Sequence, residues 1–376
     1  MRLVRLTAAK AVANTALRWV PPFLPTLERA FGASTGQMTT ILGVGEMAGL
    51  STVGVGRFLD RGRERLVMTI ALVVISVSSL VALVGTTFTF AIAFLLVVLG
   101  VANLTVAGHS TISRNVPYAG RARAIGLYET SWAIALLIGA PTIALLINSF
   151  GWRGPYVVFA AACAAMAAWI WTAGSRNAVT EPVVAGQPMG IGSLPLRAWA
   201  VIVGSALLAM SGLSVFAISG KWLDTAFGVS TGGLGLVAMG FGAFELIAST
   251  GSAGFADRIG KFRSTLIGIA MLLGGQIVMV VADEALWIGV IGILTFLCGF
   301  EFAFVTSLSL VTEAMPESRG TTIALSNGVG TVARGSGTIA SGFLFTRWGI
   351  EGTLSMSATA AAVATMCFVV SRRARA

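Results

Sequence analysis

Apolar runs long enough to cross a hydrocarbon core recur along this chain, and polar residues are confined to the short intervals between them. A helix needs about 20 apolar residues to span lipid. Runs of that length fall near residues 8–28, 36–57, 66–86, 88–112, 123–148 and 154–174, and again near 198–220, 232–254, 264–282, 285–311, 320–345 and 353–371. In lipid every backbone amide must be paired within its own segment, so the pattern predicts twelve transmembrane helices. Short alternating segments of the kind that build a membrane barrel do not occur. One longer break, at 175–197, carries Pro182, Gly186, Pro188, Pro195, Arg176 and Glu181. The predicted organisation is therefore a six-helix bundle over 1–174, a cytoplasmic linker over 175–197, and a second six-helix bundle over 198–376.

Composition supports this reading. Of 376 residues, 56% are hydrophobic and 11% charged, whereas a soluble domain carries about 25% charged residues. The net charge of +10 would suit a nucleic-acid binder, but its placement argues otherwise. Nineteen of the 25 basic residues, Arg2, Arg5 and Lys10 among them, fall in segments that are inner if the N-terminus is cytoplasmic. Four (Arg29, Arg153, Lys221 and Arg347) fall in outer loops, and Arg18 and Arg334 lie within spans. That bias predicts cytoplasmic termini and no nucleic-acid partner. The excess of Arg over Lys, with abundant Ala and Gly, points to a bacterial protein of the cytoplasmic (inner) membrane. Asn14, Arg18, Pro21 and Pro22 interrupt the apolar region that a signal peptide needs, so the first span is expected to be retained. Cys163, Cys298 and Cys367 all lie in spans and form neither a disulfide framework nor a metal-ligand spacing. No phosphate-binding loop and no convergent catalytic cluster is visible. The expectation is a non-enzyme without cofactor or metal, and a monomer in the bilayer.

The two sets of six are repeats. Phe31-Gly32-Ala33-Ser34-Thr35-Gly36 returns as Phe227-Gly228-Val229-Ser230-Thr231-Gly232, at an offset of 196. Gly43 and Gly45 return as Gly240 and Gly242, and Asp60-Arg61 as Asp257-Arg258, at 197; Pro117 returns as Pro316, at 199. Parallel repeats of this kind typify secondary transporters. The segment Gly56-Arg57-Phe58-Leu59-Asp60-Arg61-Gly62-Arg63-Glu64-Arg65, between spans 2 and 3, resembles the G-x-x-x-D-R-x-G-R-R/K loop of the major facilitator superfamily. A weaker copy, Ala253 to Lys261, joins spans 8 and 9. The first copy has its second glycine one place early, and the second has Ala253 where glycine is expected. Gly139-Ala140-Pro141 in span 5 looks like the drug:proton antiporter branch of that superfamily. The resemblance implies an all-α fold of two parallel six-helix repeats and alternating access. It also implies a gating role for Gly56, Asp60, Arg61 and Arg63, and in the second copy for Asp257, Arg258 and Lys261.

Charges at membrane depth are costly, roughly 2.5–3.5 kcal/mol each on insertion scales, and mark function. Six lie away from span ends: Arg18, Glu46, Glu129, Glu245, Glu301 and Arg334. None falls in spans 3, 6, 9 or 12, which the resemblance places on the outside against lipid. A desolvated carboxylate without a close partner can hold a proton near neutral pH, so Glu46, Glu245, Glu301 and Glu129 are the candidates for proton coupling. The other reading makes them permanent partners of Arg18 and Arg334. Arg18, Asn14, Trp19, Asn103, His109, Trp132, Glu301 and Arg334 are the candidate substrate contacts. Arg18 could bind an anionic solute or neutralise Glu46 or Glu129, and His109 could equally be a hydrogen-bonded structural residue. The functional expectation is a proton-coupled secondary transporter that exports small amphipathic or drug-like compounds. The alternative is proton-coupled uptake or exchange of a small organic anion or metabolite.

Overall fold

The computed structural model describes residues 3–172, 194–282, 285–315 and 319–373. The side chains of 118, 119, 122, 253–255, 257 and 319–321 lie outside the described set, as does most of the predicted 175–197 linker. The described residues are mostly helical, with no strand among them.

Prolines explain how the first half is divided. α1 (Leu3–Arg18) and α2 (Leu24–Phe31) are separated by a turn holding Pro21 and Pro22. Neither proline can donate a backbone N–H, and α2 restarts with Pro25 in its first turn, where a donor is not needed. α3 (Thr35–Glu46) passes through a 3₁₀ turn at Met47–Ser51 into α4 (Thr52–Asp60). α5 (Glu64–Ala82) and α6 (Thr87–Asn115) follow, the latter opened by a reciprocal cap between Thr86 and Thr89. α7 (Tyr118–Leu137) breaks from α8 (Gly139–Phe150) at Ile138, three residues before Pro141. α9 (Arg153–Trp171) completes the half.

The second half is more continuous. It contains α10 (Leu196–Phe227), α11 (Thr231–Ile259), α12 (Lys261–Val280), α13 (Leu286–Ala314) and α14 (Arg319–Arg373). The last is bent at Trp348 and Gly349, where Gly349 takes a φ of 61°. Ten helices among the described residues are long and apolar enough to cross a membrane. The twelve-span reading follows if α1 and α2 count as one broken span and α14 is divided at Gly349.

The chain forms two compact units. One comprises Met1–Ser34, Val44–Val183 and Val229–Gly242; the other comprises Thr35–Gly43, Val184–Gly228 and Ala243–Ala376. Each is one repeat with the opening stretch of its second span replaced by that of the other repeat. In both units the guest stretch packs backbone to backbone. A Cβ on Gly242 would lie 2.4 Å from the Leu137 nitrogen of α7, and one on Gly43 would lie 2.4 Å from the Gly335 carbonyl oxygen of α14. Small residues allow such crossings in membranes.

α5 has one apolar face exposed and one buried. Ile70, Val73, Val77 and Leu80 form an exposed stripe at three- and four-residue spacing, while Met68, Ala71, Leu72 and Ile75 are buried on the opposite face. α12 and α13 meet through Gly268 and Gly275 on one helix and Gly292 and Gly299 on the other. At each of the four a Cβ would fall within 3 Å of partner backbone.

Candidate functional site: a carboxylate shared across three helices

Three polar residues of α1 share one face. Lys10, Asn14 and Arg18 are spaced by four residues and all are buried, as are the alanines at 9, 13 and 16 that let neighbouring helices approach. α7 meets each in turn. Lys10 Nζ donates to Glu129 Oε1 at 2.6 Å, Asn14 Nδ2 donates to Ser131 Oγ at 3.3 Å, and Arg18 Nη1 donates to the Trp132 carbonyl at 2.8 Å. The Lys10 ammonium also lies 4.3 Å from the centre of the Tyr128 ring, and the Arg18 guanidinium 4.2 Å from that of Trp132. Such cation–π contacts gain weight where water is excluded.

A third helix completes the site. From α6, His109 Nε2 lies 2.6 Å from the same Glu129 Oε1, and its ring meets Tyr128 edge-on with centroids 5.4 Å apart. With the carboxylate ionised, Oε1 accepts from both donors. Tyr128 donates its hydroxyl to the Leu104 carbonyl at 3.1 Å. Gly108 makes that bond possible, because a Cβ there would stand 2.1 Å from the Tyr128 hydroxyl oxygen. Gly139 does the same for α1, since its Cβ would lie 2.5 Å from the Thr15 side chain.

The structure thus brings together Asn14, Arg18, His109, Glu129 and Trp132, and adds two residues the sequence reading gave no role, Lys10 and Tyr128. Lys10 was counted among the inner-segment bases; it is 1% exposed and paired inside the bundle. The other candidates lie elsewhere. Trp19 is buried among Phe23, Tyr156 and Phe159, at ring distances of 6.1, 5.3 and 6.2 Å. Asn103 is buried and donates to Ser51 Oγ at 2.9 Å and to the Leu99 carbonyl at 2.8 Å, tying α6 to the 3₁₀ turn. Glu46 ends α3 half-buried, Glu245 is buried on α11, and Glu301 is half-buried on α13. Arg334, half-buried on α14, donates to Thr331 Oγ1 of its own helix at 3.2 Å.

At the signature loop, α4 ends on Asp60, Gly62 turns the chain with a φ of 72°, and α5 begins at Glu64. In the second copy the turn is made by Gly260, with a φ of 89°, one place later relative to Asp-Arg. Both glycine positions follow the need for a left-handed residue between the two helices. Arg114 of α6 holds the first loop: its Nε lies 2.8 Å from Glu64 Oε1, and its Nη2 donates to the carbonyls of Leu59 at 2.6 Å and Asp60 at 3.1 Å. Ser110 Oγ adds a bond to Glu64 Oε1 at 3.0 Å. Asp60 contributes its carbonyl here; its exposed carboxylate has no partner among the described residues. Gly56 is half-buried, and Arg61 and Arg63 are exposed. In the second copy Lys261 pairs with Glu313 of α13, whose carbonyl accepts from Arg197 Nη2 at 3.2 Å. Arg258 is exposed, and the side chain of Asp257 lies outside the described residues.

Paired repeats of lipid-length helices, with ionisable side chains gathered inside one of them, define a polytopic membrane transport protein rather than an enzyme. The chain belongs to the Major Facilitator Superfamily, whose family model matches residues 6–338. It is 26% identical over 274 residues to the "Transcription regulatory protein OpdE" of Pseudomonas aeruginosa, covering 71% of this chain and 67% of that one. It is 23% identical over 265 residues to the "Uncharacterized MFS-type transporter YwfA" of Bacillus subtilis, covering 67% and 63%. The chain therefore spans about two thirds of the length of these curated relatives. Its fold matches the crystal structure of a D-xylose-proton symporter with a TM-score of 0.76 at 15% identity, over 96% of both chains.

Proposed function

We propose that this transporter is proton-coupled and works by alternating access, exporting small amphipathic or drug-like compounds from the bacterial cytoplasm, with both termini on the cytoplasmic side. The observation that supports coupling is the Glu129 carboxylate, held at membrane depth between an ammonium and an imidazole. An imidazole is the side chain whose charge changes most readily near neutral pH. Here any change in its charge acts directly on the oxygen that also binds Lys10. A proton taken up on one side can therefore alter the α1–α6–α7 contacts and be released on the other. Glu46, Glu245 and Glu301 remain proposed contributors to the same cycle, and the two signature loops its proposed gates. The organic-anion alternative would need Arg18 or Arg334 presented to solute; Arg18 is 4% exposed and engaged by Trp132.

Reconstitution in liposomes with an imposed pH gradient and a panel of solutes tests the coupling. The expected result is solute movement that follows the gradient and becomes gradient-independent in Glu129→Gln. Gradient-driven transport that survives Glu129→Gln unchanged would remove this carboxylate from the mechanism.

A further inference from the structure

We propose that the tail of α9 binds an anionic phospholipid, its phosphate held by Arg5 and Arg65 and its chains laid on the exposed alanine face of that helix. The site shares no residue with the Glu129 cluster; only the name of its leaflet, cytoplasmic, rests on the topology proposed above. α9 packs against both α5 and α1. Trp169 and Trp171 stand two places apart near its end, roughly 200° round the helix, and each carries an arginine from a different neighbour. The guanidinium of Arg5, from α1, lies 5.2 Å from the centre of the Trp169 ring, and that of Arg65, from α5, lies 5.1 Å from that of Trp171. Ala161, Ala164, Ala165 and Ala168, all exposed, run along the face of α9 that lies between the two tryptophans.

Charge complementarity selects the occupant. A guanidinium stacked on a ring is fixed in place while the N–H groups at its edge stay free to donate, and their fork matches a phosphate. Arg5 is half-buried and makes no hydrogen bond or ion pair among the described residues, so its donors lack an acceptor. The helices around it do not supply one. α1 and α9 contain no acidic residue, and the sole acid of α5, Glu64, is buried and bound by Arg114 and Ser110. A soluble anion would satisfy the guanidiniums and leave the alanine face uncovered. A phospholipid covers both, its chains continuing onto the exposed Ile70, Val73 and Val77 of α5. Trp171, 51% exposed, sits where an indole favours the headgroup level, and basic side chains there attract anionic lipid. The opposite end of α9 lacks this pairing of two arginines. Arg153 lies 4.5 Å over its own neighbour Trp152, whose ring packs on Phe31 and Tyr156.

Native mass spectrometry of the full-length protein in detergent tests the site. Phosphatidylglycerol and phosphatidylethanolamine with the same chains are offered at equal concentration, and the bound lipid is identified by mass. The protein should retain phosphatidylglycerol in preference, by roughly fivefold for each arginine. Arg5→Gln combined with Arg65→Gln should bring the two lipids level. Arg5→Lys combined with Arg65→Lys keeps both charges and should keep most of the preference, which separates loss of charge from misfolding. Arg153→Gln, at the other end of the same helix, should leave the preference intact. Glycerol 3-phosphate, which offers a phosphate without chains, should not displace the lipid at equal concentration. Equal retention of the two lipids would overturn the proposal, as would a preference that survives the paired Gln variant or is lost as fully in Arg153→Gln or the paired Lys variant. Displacement by glycerol 3-phosphate would make this a soluble-phosphate site and overturn the lipid. Binding is read without a pH gradient, so its failure leaves the proton coupling untouched.

Discussion

Between α1, α6 and α7 of the first repeat, polar bonds tie a buried lysine and a half-exposed imidazole to one half-exposed carboxylate, and a buried arginine to the backbone beside it. In the second repeat one network of buried bonds joins neutral groups. Gln276 Nε2 donates to Ser357 Oγ at 2.7 Å, Ser357 pairs with Ser211 Oγ at 2.8 Å, and Thr265 pairs with Thr306 at 3.0 Å. Hydroxyls and amides satisfy one another inside a bundle without changing charge, so this network can hold α10, α12 and α14 but cannot respond to protons. The charged cluster can do both. These two polar regions of one repeated architecture thus differ in what they can do, and the first holds the carboxylate proposed above to couple.

Lys10→Met should break the contrast most severely. Removing one member of a fully buried ion pair costs about 3–5 kcal/mol; with Glu129 half exposed to relieve its charge, we expect on the order of 2 kcal/mol. Thermal unfolding in detergent reads the loss, and adding Glu129→Gln should recover most of it. An unchanged midpoint in Lys10→Met would mean that the ammonium contributes nothing that its pairing suggests.

Gln276→Leu probes the other side. Ser357 keeps its bonds to Ser211, so the loss should be about 1 kcal/mol, the net value of one hydrogen bond. Transport in the variant should keep its dependence on the pH gradient. A variant that transports normally at neutral pH but ignores the gradient would show that the neutral network takes part in coupling.

The helices and the repeat were legible because lipid enforces apolar length, and the breaks in spans 1 and 5 follow from Pro21, Pro22 and Pro141. Asn14, Arg18, His109, Glu129 and Trp132 could each be singled out as polar or aromatic groups at membrane depth. That they form one site depends on where α1 crosses α7, which no linear pattern states. Lys10 escaped for a different reason. It lies within the first apolar run, four residues from Asn14 and eight from Arg18, on the same helical face, yet charge bookkeeping alone assigned it to topology. Including it reduces the interior excess of carboxylates over cations from two to one, four against three. Trp19 shows the converse: an aromatic beside a candidate arginine reads as a substrate contact, but neighbouring rings surround it.

The signature loops offer the smallest and cleanest comparison, because the same bond recurs with its charges exchanged. At the repeat offsets of 197 and 199, Glu64 corresponds to Lys261 and Arg114 to Glu313, and each pair joins the start of one helix to the last turn of the next. A helix N-terminus favours an anion and a C-terminus a cation, by about 0.3–1 kcal/mol each at exposed sites. Glu64 at the head of α5 and Arg114 at the tail of α6 agree with both dipoles. Lys261 at the head of α12 and Glu313 at the tail of α13 oppose both, so the second pair retains its Coulomb attraction while working against the backbone. Lys261→Glu combined with Glu313→Arg would rewrite the second pair in the polarity of the first. We expect a gain of about 0.5–1 kcal/mol after screening at these half-exposed positions, read as a raised unfolding midpoint that shrinks as salt is added. A lowered midpoint would mean that contacts specific to the native side-chain polarity outweigh the dipoles and that the reversal is maintained for them.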